Sequence, residues 1–377
     1  MAVRLTTLAA LAVLAALLVA CAGASSTPAA PASAPLPAAE SPTAAPGGGG
    51  AAPVAGDGAA SAGGGAAPAS ASSGPALHTS AAYQAIGAAS APIWVTEEAG
   101  LFAKHGLDVD VQYLQGNASY AALIAGQIDF LFGNPHNFVS LEAEGADVKV
   151  LACFKPIVSD YTIMATPEIH QAADLRGKLI ATGGTSDLTQ AYFDEYFRRN
   201  NVRPDDVTYV RVGGQPERAD ALRGGAAQAT MLNTPANVVL EREGMRRLAK
   251  MDDLRLPSAT RCVTTLPSLL EQRPEVAERF LKAMIETAQF MVVHRDQAEP
   301  IVRQRLKIED QELMDATYAT AAANDRDPVV PVEGLQASAA ALADENPHTL
   351  DLDVRRMIDT SVLDRIRQSG FIDVLYQ

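Results

Sequence analysis

The chain has 377 residues and a formal net charge of −14, a length that allows two or three domains of roughly 150 residues each. Residues 22–76 are Ala, Gly, Pro, Ser or Thr at all but four positions. This tract has little to bury, so we expect it to be disordered. The remaining body, residues 77–377, carries 29 basic and 42 acidic residues, a net charge of −13. That charge argues against nucleic acid and anionic lipid as partners.

The first 21 residues have the features of an export signal. Arg4 precedes an uncharged run over residues 5–20, which is short for a membrane span but suits the apolar part of a secretory signal. The run ends in Leu18-Val19-Ala20-Cys21, which resembles the bacterial lipobox. The resemblance implies a signal peptide over 1–20, diacylglycerol on Cys21, and a lipid-anchored tether over 21–76. A plain secretory signal with an incidental cysteine is the alternative.

The body alternates between strand-like and helix-like segments about every ten residues. Its first part predicts strands over 77–83, 109–114, 128–132 and 148–154, with helices over 92–99, 117–125 and 135–144. A crossing at 161–166 leads to strands over 179–182, 207–212, 228–232 and 247–251, with helices ending near 199, 222 and 243. A return at 259–264 precedes a largely helical part, where an apolar stripe predicts core packing: Val276, Phe280, Met284, Ala288 and Met291.

An internal repeat relates the two halves of this pattern. Residues 122–145 and 221–244 align at a constant offset of 99, with nine of 24 positions identical. The aligned Asn134 and Asn233 each follow a predicted strand and precede a predicted helix. They would cap those helices, as Ser90 and Asn117 would cap two others. Because ligands bind beyond the carboxyl ends of strands in open α/β sheets, two facing lobes would also bring both asparagines to a common cleft.

Three segments carry a resemblance to a known family. They are Ala91-Pro-Ile-Trp-Val-Thr-Glu-Glu-Ala-Gly-Leu-Phe-Ala-Lys-His-Gly-Leu-Asp-Val, Ala122-Leu-Ile-Ala-Gly-Gln-Ile-Asp-Phe, and Asp174-Leu-Arg-Gly-Lys-Leu-Ile-Ala. With these three segments in this order along the chain, the body resembles the nitrate, sulfonate, taurine and pyrimidine-precursor substrate-binding proteins of ABC importers. The resemblance implies a type II periplasmic-binding-protein-like α/β fold with the ligand cleft between its lobes. The larger lobe would comprise 77–157 plus 260–377, and the smaller lobe 158–259.

The same resemblance implies delivery of a small molecule to an ABC permease and its ATPase. A lipid anchor at the outer face of the cytoplasmic membrane suits that task. We also expect a monomer that needs no cofactor or metal. Two alternatives are a tethered ligand-sensing module and, less favoured, an enzyme resembling fungal pyrimidine synthases. Those enzymes carry a cysteine-rich metal motif, whereas Cys153 stands here without such neighbours.

Candidate ligand-binding residues follow from the strand ends. The loop Gly183-Gly184-Thr185-Ser186 presents free N–H groups before a helix, although it also suits a tight turn with Ser186 as the cap. The other candidates are Gln84, Ser90, Asn134, His136, Gln215 and Asn233. Trp94 is a candidate to stack on a flat ligand, but core packing is the favoured interpretation. We lean towards an oxyanion such as a sulfonate, held by neutral dipoles at helix starts against the acidic body.

The remaining chemistry is sparse. No two of the six histidines lie within five residues of one another, and the sequence has neither a G-x-S-x-G elbow nor a phosphate-binding G-x-x-x-x-G-K-[ST] loop. Catalysis is therefore not expected. Cys153 and Cys262 lie on predicted strands near the two crossings. They are either bonded or free, and two buried free thiols are the favoured state.

Overall fold

The computed structural model describes residues 75–184 and 188–377. Cys21, the signal peptide, the tether, Thr185 and Ser186 therefore lie outside the described residues. Ten strands follow in chain order: β1 (Leu77–Tyr83), β2 (Leu107–Tyr113), β3 (Phe130–Gly133), β4 (Lys149–Ile157), β5 (Tyr161–Ala165), β6 (Leu179–Thr182), β7 (Thr208–Arg211), β8 (Ala229–Asn233), β9 (Arg246–Lys250) and β10 (Pro257–Thr265).

Fifteen α-helices are interleaved with the strands in these residues. They are α1 (Ala91–Glu98), α2 (Leu101–Lys104), α3 (Asn117–Ile124), α4 (His136–Ala143), α5 (Thr189–Arg199), α6 (Gln215–Arg223), α7 (Ala236–Arg242), α8 (Met251–Leu254), α9 (Pro267–Gln272), α10 (Pro274–Val293), α11 (Arg295–Leu306), α12 (Gln311–Ala322), α13 (Val332–Leu342), α14 (Ser361–Gln368) and α15 (Phe371–Leu375). None of the helices in this part of the chain combines the length and apolarity that a membrane crossing needs.

The strands form two five-stranded sheets built on one plan. The first has the order β2-β1-β3-β10-β4 and the second β7-β6-β8-β5-β9. In each sheet four strands run in one direction, and the fourth strand of the order runs against them, pairing antiparallel with both of its neighbours. The shared plan predicted from the internal repeat is confirmed by this order. Two mixed sheets flanked by helices also confirm the α/β fold class, and we call the regions around the first and second sheets the larger and smaller lobes.

Apolar periodicity places the core where the sequence predicts it. The stripe of α10 is buried, with Phe280 stacked on Phe130 of β3 at 4.1 Å between ring centroids. Trp94 is 1% exposed and packs edge-on against Tyr83 at 5.6 Å, so it is a core residue, as favoured above. This packing holds helices against the first sheet. The carboxyl ends of β1 and β3 face the second sheet.

A disulfide joins the two strands of the first sheet that lead into and out of the second sheet. Cys153 on β4 pairs with Cys262 on β10, its direct neighbour across an antiparallel ladder. The preference for two free thiols is therefore wrong, because the antiparallel register brings the two side chains to one point of the sheet. The bond spans a sequence separation of 109, and the enclosed segment contains all five strands of the second sheet.

Several predicted helix caps are also wrong. Helices α4 and α7 begin at His136 and Ala236 after Pro135 and Pro235, and neither has a side-chain cap. Asn134 and Asn233 thus lie before the capping position. Asn117 is the first residue of α3 and follows the capping position at Gly116. Ser90 occupies the cap position of α1, but its hydroxyl donates backwards to Ala85 O at 2.7 Å.

Candidate functional site

A cavity of about 210 Å³ lies between the two sheets, beyond the carboxyl ends of β1, β3 and β8. Both lobes and both crossings contribute to it. The described lining residues are Gln84, Ala85, Ala89, Ser90, Gly116, Tyr120, Phe132, Gly133, Asn134, His136, Asn137, Ser159, Asp160, Tyr161, Asn233, Thr260 and Arg261. Amides, hydroxyls and aromatic rings predominate, as in many small-molecule sites.

Gln84 builds the wall of the cavity at the end of β1. Its Oε1 accepts a hydrogen bond from the backbone N–H of Asn134 at 2.9 Å, and its Nε2 donates to Ser119 Oγ at 3.1 Å. A Cβ atom on Gly133 would lie 2.0 Å from Gln84 Oε1. Gly133 is therefore required for the close approach of this side chain, and Gln84 positions the chain that carries Asn134.

Asn134 connects the cavity to the returning crossing. Its Oδ1 accepts from the backbone N–H of Arg261 at 3.2 Å, and its carbonyl oxygen accepts from the Tyr120 hydroxyl at 2.8 Å. Burial raises the pKa of Tyr120 well above its usual range, so the phenol stays protonated and donates. The Tyr120 ring lies edge-on to His136, with 6.3 Å between ring centroids.

Asn233 occupies the matching place at the end of β8. Gln215, the first residue of α6, accepts from the backbone N–H of Asn233 at 2.7 Å. A glutamine thus holds the backbone of the cavity asparagine in each lobe. Gln215 itself does not line the cavity, so its role is to position Asn233.

Three buried polar atoms in the lining lack a hydrogen-bond partner among the described residues. They are Asn137 Oδ1, Ser159 Oγ and Asn233 Oδ1. Ser159 is 2% exposed. Leaving a buried polar atom unpaired costs about 1–3 kcal/mol, and such atoms are uncommon in folded proteins. Three of the six such atoms found in the described residues line this one cavity, where a bound molecule would supply the missing partners.

A buried ion pair forms the floor between the crossings. Arg261 Nη2 donates to Asp160 Oδ2 at 2.8 Å, and the two side chains are only 1% and 5% exposed. Both residues have positive φ angles, +54° and +68°, a conformation that costs side-chain-bearing residues energy. The pair therefore links the two chain segments that connect the lobes. Relative movement of the lobes would bend both segments at this place.

The predicted site residues divide into three groups. Gln84, Ser90, Asn134, His136 and Asn233 line the one cavity, as the common-cleft hypothesis requires. Gln215 does not line the cavity but accepts a hydrogen bond from Asn233, which does, and Gly184 is not among the described lining residues. Thr185 and Ser186 lie outside the described residues.

The sequence interpretation missed the polar residues on the crossings. Ser159, Asp160, Tyr161, Thr260 and Arg261 all line the cavity. A signal for them existed, because a crossing between two lobes passes the cleft floor, and Arg261 interrupts the otherwise uncharged run Ser258-Ala-Thr-Arg-Cys-Val-Thr-Thr. Asn137 was missed because it lies one residue beyond His136 on α4 and has no distinguishing spacing.

A larger crevice lies along one flank of the same interface. It encloses about 640 Å³ between α5 and α13. Several of its charged side chains pair with each other, as Arg211 Nη2 does with Glu345 Oε1 at 3.2 Å. None of the unpartnered buried atoms found in the described residues lines this crevice. The smaller cavity is therefore the better candidate for ligand binding.

Two mixed sheets with a polar cavity between them define a type II periplasmic binding protein fold. The family described as NMT1/THI5 like matches residues 88–298, more than half of the chain, and the protein belongs to that family. One relative, YtlA of Bacillus subtilis (strain 168), is named as a candidate binding protein. It is 22% identical over 212 residues, which cover 54% of this chain and 63% of YtlA.

Solved structures share the fold at low sequence identity. The periplasmic aliphatic sulphonate-binding protein SsuA from Escherichia coli superposes with a TM-score of 0.64 and 16% identity, over 75% of this chain and 92% of SsuA. The desulfurization enzyme DSZB gives 0.61 and 16%, over 78% and 99% of the two chains. The same architecture thus serves both binding proteins and an enzyme.

Proposed function

We propose that the protein is an extracytoplasmic solute-binding lipoprotein that captures a small molecule by lobe closure and delivers it to an ABC import permease. The observation that carries the proposal is the cavity between the sheets, where Asn137, Ser159 and Asn233 present buried polar atoms with no partner among the described residues. Because DSZB shows that the fold also carries an enzyme, the proposal rests on this cavity rather than on the likeness.

The arrangement of the crossings supports lobe closure. Only the strand connections near Asp160 and Arg261 join the proposed lobes, 77–157 plus 260–377 and 158–259. Elsewhere the contacts between the lobes include exposed ion pairs, Arg211 with Glu345 and Arg242 with Asp310 and Glu312. Exposed pairs of this kind contribute little to stability, so they break and re-form readily as the cleft opens.

The N-terminal features complete the proposal. Lipid on Cys21 would hold the receptor at the outer face of the cytoplasmic membrane, and residues 21–76 would give it reach towards its permease. Lipid chains on a single N-terminal residue anchor a protein without crossing the membrane. Ligand capture and delivery to the permease would then occur at the same membrane surface.

A thermal-shift screen of the full mature chain tests ligand capture. The panel comprises sulfonates, nitrate, pyrimidines and amino acids. We expect one class to raise the melting temperature, since a ligand at about 100 times its Kd stabilises the folded state by about 2.7 kcal/mol. Asn233→Ala should abolish most of the shift, whereas a change of the exposed Gln368 at the end of α14, Gln368→Ala, should preserve it.

Two results would contradict the proposal. One is a flat melting temperature across the panel. The other is a ligand shift of native size in Asn233→Ala, which would place binding away from this cavity.

A further inference from the structure

The charged groups of the cavity cancel each other. Asp160 and Arg261 are the only aspartate, glutamate, lysine or arginine side chains among its described lining residues. They form the buried ion pair of the floor, with 2.8 Å between Nη2 and Oδ2. The lining therefore presents no uncompensated cation to an incoming anion, in a body whose net charge is −13.

Arg261 has also used all of its hydrogen-bond donors. A guanidinium has five N–H bonds. Nε and Nη2 both donate to Asp160 Oδ2, at 3.2 and 2.8 Å, and Nη2 donates again to Thr320 O at 2.8 Å. Nη1 donates to Ala321 O at 3.1 Å and to Asn324 Oδ1 at 2.7 Å. No donor of this side chain is left for a bidentate contact with a sulfonate or carboxylate.

The unpartnered atoms of the lining are mainly acceptors. Asn137 Oδ1 faces no donor among the described residues, while its amide nitrogen donates to Asn117 Oδ1 at 3.3 Å. Asn233 Oδ1 is unpartnered as well, and the Ser159 hydroxyl can donate or accept. An ionised oxyanion offers only acceptors, so it would leave both amide oxygens unsatisfied. The start of α4 at His136 suits a carbonyl oxygen as well as an anion.

We propose that the cavity selects a small ligand that carries no net negative charge and donates at least two hydrogen bonds, and that Asp160 determines this specificity by neutralising Arg261. This inference rests on the proposed binding function. Asp160 holds the guanidinium in place and cancels its charge. The amide oxygens of Asn137 and Asn233 then accept the ligand's N–H or O–H groups from the two sides of the cleft.

Matched ligand pairs test the inference on the native chain. Uracil is compared with orotate, and nicotinamide with nicotinate, because each pair differs by one carboxylate; ethanesulfonate, nitrate and taurine complete the panel. We expect the member without net negative charge to bind roughly tenfold more tightly or better. Its Kd should change less than about twofold between about 50 and about 500 mM NaCl, because salt screens interactions between charges.

Variants provide a second, independent readout. Asp160→Asn leaves the charge of Arg261 uncompensated, so we expect the ratio of anion affinity to uncharged-ligand affinity to rise roughly tenfold or more. The control Asp327→Asn removes the same charge from an exposed pair with Arg367 outside the cavity and should alter neither affinity. If Asp160→Asn does not fold, the salt series on the native chain decides.

The outcomes separate the two proposals. Tightest binding by an anion, with affinity that falls as salt rises, overturns the inference and leaves the binding function intact. An unchanged ratio of anion affinity to uncharged-ligand affinity in folded Asp160→Asn also overturns the inference. A flat response to the whole panel overturns the binding function, and the inference with it.

Discussion

The repeated segments 122–145 and 221–244 fold alike in the two lobes but differ in what they contribute to the cavity. Gly126 and Gly225 have φ angles of +67° and +71°, and Gly145 and Gly244 of +102° and +94°. Each pair marks the same turn of the repeat, after α3 and α6 or after α4 and α7. Left-handed conformations favour glycine, so these two identities of the repeat have a backbone cause.

The cavity is nevertheless built mainly by the larger lobe. The smaller lobe contributes Asn233 and the segment 159–161 among the described lining residues. Gly133 in the larger lobe aligns with Leu232 in the smaller one. Position 133 needs glycine because a Cβ atom there would lie 2.0 Å from Gln84 Oε1. One lobe thus offers a largely formed surface, over which the proposed closure would bring the other lobe.

The largest effect on stability is expected from the disulfide that joins β4 and β10, the strands that lead into and out of the smaller lobe. Replacing both cysteines, Cys153→Ser with Cys262→Ser, should lower the free energy of unfolding by about 4 kcal/mol, because the cross-link restricts a long loop in the unfolded chain. Urea unfolding of the exported protein with and without reductant measures this effect. Reductant should not change the double variant further, and two free thiols at these positions in the native protein would contradict the prediction.

A smaller effect on stability should distinguish Glu142 from Glu241, which occupy aligned positions of the repeat. Glu142 is 4% exposed and its Oε2 accepts from Val148 N at 3.2 Å, whereas Glu241 is half-exposed and pairs with Arg247. Glu142→Ala should destabilise by about 2 kcal/mol, because the Val148 N–H loses its acceptor. Glu241→Ala should change stability by less than about 0.5 kcal/mol. Equal losses in urea unfolding would show that the aligned positions do not differ in this way.

Unfolding measured at different pH separates the effect of the Glu142 charge on stability from the effect of its hydrogen bond. Burial raises the pKa of the Glu142 carboxyl. Since the folded-state value lies above the unfolded-state value, ionisation reduces stability as pH rises through the folded-state pKa. Glu142→Gln keeps an acceptor and lacks that loss, so its stability relative to the native protein should increase from pH 4 to 7.

Periodicity and local residue preferences were enough to predict the elements and their repetition. The alternation of apolar segments identified eight of the ten strands, because burial within a sheet leaves a pattern along the chain; β5 and β10 were expected only as a crossing and a return between the lobes. The strand-end rule also brought Gln84, Asn134 and Asn233 to one cavity. These predictions depend on residues close together in sequence, or on a topology that the repeat reveals.

Long-range partners were beyond such reasoning. Asn134 was expected to cap α4, but its Oδ1 accepts from Arg261 N, a residue 127 positions away. The pairing of Arg261 with Asp160 spans 101 positions, and the disulfide 109. Nothing local distinguishes a capping asparagine from one held by a distant strand, since the amide suits both.

The smallest effect on stability, and the sharpest comparison of the lobes, concerns Asn134 and Asn233. Asn134→Ala removes the acceptor of Arg261 N–H and should lower the free energy of unfolding by about 1 kcal/mol. Asn233→Ala removes an oxygen without a described partner and should leave stability within about 0.5 kcal/mol or raise it. Both should weaken ligand binding, which calorimetric titration with a hit from the screen measures. If Asn233→Ala were the more destabilising change without ligand, the Asn233 amide would stabilise the fold. That result would contradict the assignment of the structural role to Asn134.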